Sequence, residues 1–403
     1  MQYDQKKSIK ITIDTLAVGM FVTAIEHSKR VNLTNAGRVS SGQAIEQLKK
    51  SGVKFVWVNQ QLSANGCVFT PVSEESKEVA QPEATQVAAT KPKKQSRFTQ
   101  QKRASKIIRE AKGLAQKLIN QTFEGKVIHV GEIEEWADDV IDTVAIDSDA
   151  LQCVSALRNK DKYLLEHSVN VACLLVSFGK HLGLSKETLK HMAIGGIIHD
   201  VGKIKVDDKV LHKPARLTPE EFEHMKLHQV YAKQIITNVK GLSDVSRDVC
   251  LMHHEKLDGS GYPLGLTAEQ LPIHGRMSSI VDIYDALTAD RCYKRGMSSA
   301  EAFKILLSLT PTHLDKDLVY KFINCIGVFP VGSVVELSDG RVGIVWTSNI
   351  DEPLKPEVKC FYSRKYKRYV EVSYVDLKHS SVKIAKAIAP HNLEVDPTPF
   401  FDL

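Results

Sequence analysis

Long apolar runs are missing from this 403-residue chain. The longest stretches, such as residues 171–178, fall far short of the roughly 18 residues that cross a bilayer, so no membrane span is expected. The opening MQYDQKKSIK is basic with no apolar stretch behind it, which excludes a secretory leader and makes the cytoplasm the expected location. Cysteine is sparse and scattered, at positions 67, 153, 173, 250, 292, 325 and 360, without a CxxC pair. That pattern argues against a disulfide framework and against a thiolate zinc site. A dominant charge is also lacking. The formal net charge of +6 is too weak to indicate a nucleic-acid polymer as partner, although it suits a small anionic ligand. Ordinary contents of hydrophobic (43%) and charged (25%) residues exclude wholesale disorder and collagen-like structure. The length suits two to three domains of roughly 100–200 residues. Histidine is what stands in excess: of 15, ten lie between positions 167 and 274.

The pattern along the chain predicts a mainly α protein with three structured parts. Residues 1–70 read as a small α/β domain: strands over IKITID (9–14), GMFVTAI (19–25) and KFVWV (54–58), and an amphipathic helix GQAIEQLKKSG (42–52) stopped by Gly52. Nothing there has catalytic spacing. It is either a regulatory or oligomerisation module or a plain structural domain. Residues 71–100 are rich in Pro, Ser, Glu, Ala, Thr and Lys and poor in large apolar residues, the composition of a disordered linker. Within residues 101–130, a helix over 103–123 carries Ile107, Ala111, Leu114 and Leu118 on one face, as a connector or a homodimer-forming helix. Residues 131–328 read as an all-helical domain, with start signals at Ser185, at Thr218-Pro219-Glu220-Glu221 and at Ser298-x-x-Glu301. The period then changes to two. SVVEL-SDG-RVGIVW (333–346) is a hairpin turning at Asp339-Gly340, and 358–363 and 368–375 add strands of a small β appendix over 329–380, followed by a tail, 381–403.

The chemistry concentrates in the helical domain. His167 lies in YLLEHSVNVACLLVSF, His199-Asp200 close MAIGGIIHD, His228 sits in EFEHMKLHQVYAK, His253-His254 close CLMHH, and Asp282 lies in MSSIVDIYDALTADR. A lone histidine in such a helix is more often a satisfied core residue than a ligand. Seven imidazoles and carboxylates set in apolar helices are another matter, because each buried without a partner costs about 1–3 kcal/mol. Pointing at shared metal ions satisfies them together. Nitrogen and oxygen donors without thiolate suit iron, manganese, zinc or nickel. Five histidines and two aspartates exceed one mononuclear site, so two divalent ions sharing a carboxylate is the economical expectation. Neighbours in mid-helix point about 100° apart. The two adjacent pairs stand instead where helices give way to loops, with Gly202 and Gly259 following so that the backbone can turn.

These motifs carry a resemblance. HDVGK (199–203), KPARLTPEEFEHMKLH (213–228), HHEKLDGSGYP (253–263) and IVDIYDALTADRCYK (280–294) resemble the HD-GYP subfamily of HD-domain metal-dependent phosphohydrolases over about residues 150–310. The resemblance implies a phosphodiesterase of bacterial cyclic dinucleotides. Cyclic di-GMP would be cut to linear pGpG and in some members on to GMP, and some relatives act on 3′,3′-cyclic GMP-AMP. It implies one metal on His167, His199, Asp200 and Asp282, and a second on Asp200, His228, His253 and His254. A third metal in some members uses a glutamate where this chain has Tyr163, so two metals are expected, and hydrolysis beyond the linear dinucleotide is in doubt.

The expected reaction is in-line attack on phosphorus by hydroxide bridging the two metals, iron or manganese first and zinc or nickel next. Lys203, with Asp200 the expected catalytic pair, is placed to hold a phosphate or protonate the leaving oxygen. Arg291 and Lys294 would bind phosphates, and Tyr262, between Gly261 and Pro263 on a stiff loop, would orient the substrate. Asp258 is expected to anchor that loop. His212, His224 and His274 are expected on the surface or behind the ligands. The competing readings are another HD-type nucleotide phosphohydrolase and a non-catalytic cyclic-dinucleotide sensor or interaction module.

Overall fold

The computed structural model describes residues 8–27, 30–32, 37–39, 41–50, 53–64, 67, 69, 97–126, 128–155, 163–237, 239–290, 295–349 and 351–401. The chain divides into two compact units, Met1–Lys91 and Pro92–Leu403.

Among its described residues the first unit is an antiparallel sheet with one α-helix. Strands β1 (Ser8–Thr12), β2 (Phe21–His27), β3 (Arg30–Asn32) and β5 (Val53–Asn59) run in the order β1-β5-β2-β3, and β4 (Gly37–Arg38) also pairs with β2. Ile11, Val22, Val56 and Val58 fill its core, and Ile45 and Leu48 of α1 (Gly42–Lys50) pack onto it, three residues apart on one helical face. The strand expected over 9–14 ends at Thr12. Ile13–Thr15 instead form a 3-10 turn, in which the Thr15 hydroxyl donates to the Thr12 carbonyl at 2.9 Å. Gly52 and the linker stretch 71–96 lie outside the described residues.

The second unit begins with α2 (Arg97–Phe123), six residues ahead of the expected start. Ile107, Ala111 and Leu118 are buried and Leu114 packs beside them, against α3 (Gly131–Ser155) and α4 (Tyr163–His181) of the same chain. The Trp136 indole donates to the Ile107 carbonyl at 3.0 Å and fastens the pair. The apolar stripe read as a connector or dimer seam is therefore used within the chain. α4 is apolar on most faces because it has core on two sides. Val169, Ala172, Cys173 and Val176 join one cluster, while Val171, Leu175 and Phe178 join another.

After α4 come α5 (Lys186–Ile198), α6 (Asp208–Leu211), α7 (Pro219–Thr237), α8 (Asp244–Met252), α9 (Ile273–Thr288), α10 (Ser299–Ser308) and α11 (Lys316–Ile326), of which α5, α9 and α11 pack against α4. The expected start signals act as caps. Ser185 accepts from the Thr188 N–H, Thr218 and Glu221 exchange bonds, and Ser298 with Glu301 forms a full capping box. Each such cap contributes about 1 kcal/mol. Among the described residues no helix is long and apolar enough to cross a membrane.

The helices are followed by an antiparallel sheet in the order β10-β6-β7-β8-β9: β6 (Val334–Leu337), β7 (Arg341–Thr347), β8 (Glu357–Ser363), β9 (Arg368–Asp376) and β10 (Ile384–Ile388). The β6–β7 hairpin turns where expected, with Gly340 at φ +85°. The stretch expected as a tail, 381–403, needs correction. β10 pairs with β6, and Phe400 stacks on Phe361 with ring centres 4.4 Å apart. IAKAI is too short and too rich in alanine to show a strand period, and only pairing with β6 makes it one. Asp149 of α3 ties the sheet to the helices, accepting from the Ser348 N–H and hydroxyl, both at 2.8 Å.

Candidate metal centre

Five helices deliver seven donors to one buried point. α4 brings His167, the end of α5 brings His199 and Asp200, α7 brings His228, the end of α8 brings His253 and His254, and α9 brings Asp282. Six of the seven are buried and His254 is half-buried. They fall into two sets whose donor atoms could each hold an ion: His167, His199 and Asp282, and Asp200, His228, His253 and His254. The Asp200 carboxylate lies between them. Its Oδ2 is 3.5 Å from His167 Nε2 and 3.4 Å from His199 Nε2, while its Oδ1 is 3.7 Å from His228 Nε2 and 3.8 Å from His253 Nε2. Asp282 Oδ1 is 3.0 Å from His167 Nε2, and its Oδ2 is 3.9 Å from His254 Nδ1.

The adjacent pairs sit at helix ends, as expected. His199 caps α5 in helical geometry, and Asp200, at φ −97° and ψ 10°, starts the 3-10 turn Val201–Lys205. His253 caps α8. Gly259, at φ +78°, does bend the chain. Gly202 acts differently from the expectation. A Cβ there would collide with the His228 carbonyl, so the missing side chain lets the Asp200 turn lie against α7.

Four of the five imidazoles are aimed by their second nitrogen. His199, His228 and His253 donate through Nδ1 to carbonyls three residues earlier, on Gly196 (2.7 Å), Met225 (2.6 Å) and Cys250 (2.9 Å). That bond turns the Nε2 lone pair inward, as a metal ligand requires. His167 Nδ1 lies 2.8 Å from Asp285. The two sets feel opposite fields. Burial lowers the His167 pKa, but Asp282 and Asp285 outweigh it and bring it up to about 9. Burial, aided by Lys203, takes His228 down to about 4, and burial takes His254 down to about 3. Burial alone would push the Asp200 carboxyl up, yet Lys203 and His199 hold it well below the usual carboxylate range.

The residues fit metal ions. His167 Nε2 and His199 Nε2 approach to 3.2 Å, so two ring nitrogens share one space that a cation fills well. Asp200 Oδ1, sealed from solvent, accepts no hydrogen bond from the described residues. A lone buried carboxylate oxygen is costly unless a charge meets it.

Other expected residues divide. Lys203 Nζ reaches Asp200 Oδ2 at 2.5 Å, so it is at the centre, paired with the shared carboxylate. Tyr262 stacks on His254, ring centres 4.6 Å apart, and its N–H donates to the His254 carbonyl at 3.2 Å. Gly261 is pressed against the backbone of Glu255 and Lys256 and leads through Tyr262 into Pro263. Asp258 Oδ1 accepts from the Ser260 N–H and hydroxyl and so does anchor the loop. His224 Nε2 accepts from the Asp207 N–H at 3.4 Å, and His274 lies 3.7 Å from Asp248. Both stand outside the two donor sets, as does His212. Arg291 and Lys294 lie outside the described residues, as does the side chain of Tyr163. A cavity of about 870 Å³ between α4, α9 and the C-terminal sheet reaches His167 and Asp285 but is not lined by Asp200, His228 or Tyr262.

Three residues were missed. Asp285, fully buried, orients His167, and its signal was the i, i+3 spacing from Asp282 on one helical face. Glu255, in the quoted HHEKLDG, accepts from the Leu264 N–H at 2.7 Å and the Leu266 N–H at 3.0 Å and fastens the Tyr262 loop. Gln229, next to His228, enters the centre with no sequence signal, since glutamine rarely marks a metal site.

Five helices converging on a histidine–aspartate centre with one shared carboxylate define an HD-type, metal-dependent phosphohydrolase. Comparison with known proteins agrees. Residues 152–318 match the HD domain model, residues 8–133 a domain of unknown function (DUF3391), and residues 334–395 a KOW domain associated with the HD domain. A cyclic di-GMP phosphodiesterase of Pseudomonas aeruginosa is 30% identical over 371 residues, 91% of this chain and 88% of that protein. A cyclic di-GMP phosphodiesterase of Thermotoga maritima is 32% identical over 43% of this chain and 47% of its own length. The 3′3′-cGAMP-specific phosphodiesterase 1 of Vibrio cholerae is 34% identical over 39% of this chain and 36% of its own length. The chain belongs to the HD-GYP family of HD-domain phosphohydrolases.

Proposed function

We propose that this chain hydrolyses bacterial cyclic dinucleotides, cyclic di-GMP first and 3′3′-cGAMP second, to the linear dinucleotide. One observation carries the reading: the two oxygens of buried Asp200 each face a different pair of imidazoles. In this reading His167, His199, Asp200 and Asp282 hold one divalent ion and Asp200, His228, His253 and His254 the other, with iron or manganese favoured by the nitrogen and oxygen donors. Such ions supply Lewis acidity toward phosphate oxygens and make hydroxide available at neutral pH.

The chain's own groups do the rest. Lys203, only partly exposed, carries a positive charge beside the shared carboxylate, where a phosphodiester anion can take it as a partner. In this reading its ammonium also gives the proton that a departing sugar oxygen takes up. Tyr262, held by its stack on His254 and by the Glu255-anchored loop, gives the substrate a fixed wall. Residues 131–328 are assigned as the catalytic domain.

The test is turnover by purified protein loaded anaerobically with iron or manganese. Cyclic di-GMP and 3′3′-cGAMP are assayed beside a nucleoside triphosphate, with Asp200→Ala as control. A linear dinucleotide that forms with wild type and not with Asp200→Ala supports the reading. Preference for the triphosphate, or tight binding without product, would replace it with the other hydrolase or the sensor.

A further inference from the structure

We infer that Gln229 supplies an amide oxygen as an additional metal ligand in the half of the centre built from Asp200, His228, His253 and His254. This rests on the dinuclear reading above.

Gln229 is fully buried on α7, beside His228. Neighbours on a helix diverge by about 100°. The longer glutamine side chain nevertheless comes round to the centre, with its amide nitrogen 2.9 Å from His228 Nε2 and 3.3 Å from His253 Nε2. Both imidazoles have committed their Nδ1 protons to the carbonyls of Met225 and Cys250. Two inward lone pairs therefore converge on one amide. Gln229 Oε1 is sealed from solvent and has no hydrogen-bond partner among the described residues.

Without a cation, an NH2 group is the right complement to two lone pairs. With a cation held by those lone pairs, its positive hydrogens would face the ion. Turning the amide over about its last torsion, which is broad and two-fold, exchanges nitrogen for oxygen while leaving the atomic positions nearly unchanged. A carbonyl oxygen would then stand 2.9 and 3.3 Å from two ligand atoms. In the other half, donor atoms are spaced alike: 3.0 Å from His167 Nε2 to Asp282 Oδ1, and 3.2 Å from His167 Nε2 to His199 Nε2. Ligands about 2.1 Å from one ion in neighbouring positions are roughly 3 Å apart. An amide oxygen is a hard donor and suits manganese or ferrous iron.

The experiment titrates manganese(II) into the chelator-stripped, full-length protein and its Q229L and Q229E variants, following stoichiometry and the affinity of each equivalent. Wild type should bind two equivalents. Q229L should keep the first unchanged and bind the second at least about tenfold more weakly. Q229E, which keeps an oxygen in place, should restore the second. Q229M replaces Q229L if that variant fails to fold. A second equivalent bound by the apolar variant as tightly as by wild type overturns the assignment alone, as does a Q229E variant no better than Q229L. Wild type binding fewer than two equivalents overturns the dinuclear reading and this ligand with it.

Discussion

In the half of the centre built from His167, His199 and Asp282, imidazole stands among carboxylates. In the half built from Asp200, His228, His253 and His254, imidazole stands among imidazoles, with a lysine nearby. At His167 the carboxylates of Asp282 and Asp285 outweigh burial and pull the side chain up to about 9, whereas at His228 burial, aided by Lys203, pushes it down to about 4. Asp282, with Asp285 behind His167, gives the first half negative charge that favours a cation. The second sets imidazole lone pairs beside the Asp200 carboxylate, with His228 and His253 aimed by the Met225 and Cys250 carbonyls and bridged by the Gln229 amide. Local helix geometry aims His199, His228 and His253, and the long-range carboxylates of Asp282 and Asp285 charge His167. The halves meet at Asp200 and at Gly202, where the turn after α5 lies on α7.

The comparison can be broken hardest at the shared residue. Asp200→Ala should reduce turnover to background and disturb both halves, read by product formation and metal content. Lys203→Met should lower kcat by roughly 10²–10⁴ if its ammonium protonates the leaving group, and leave metal content intact. Asp285→Asn separates the halves: it should weaken metal binding by His167's half about 10–100-fold and spare the other, as read from stepwise titration. Gly202→Ala strikes the seam between the halves. Its Cβ would force the turn off α7 and cost about 1–3 kcal/mol, measured by denaturant unfolding.

How far the sequence could be read follows the same division. The seven donors were legible because imidazole and carboxylate are conspicuous in runs such as MAIGGIIHD and MSSIVDIYDALTADR. The period change after 328 exposed the β6–β7 hairpin, and start signals exposed the helices opened by Ser185 and Ser298. Residues whose role depends on a distant partner were not legible. Asp285 acts on a histidine from another helix, Gln229 is defined by His253 as much as by its neighbour, and β10 is a strand because β6 lies beside it. Gly202 was noticed for the wrong reason: a glycine that permits close approach looks in sequence like one that permits a turn.

The central claim is that Asp200 is shared by two metal ions. Anomalous diffraction from anaerobically grown, metal-loaded crystals, recorded on either side of the iron and manganese absorption edges, tests it most directly. The account predicts two anomalous peaks about 3.5–4 Å apart, one toward each Asp200 oxygen. A single peak, or peaks away from the seven donors, would contradict it.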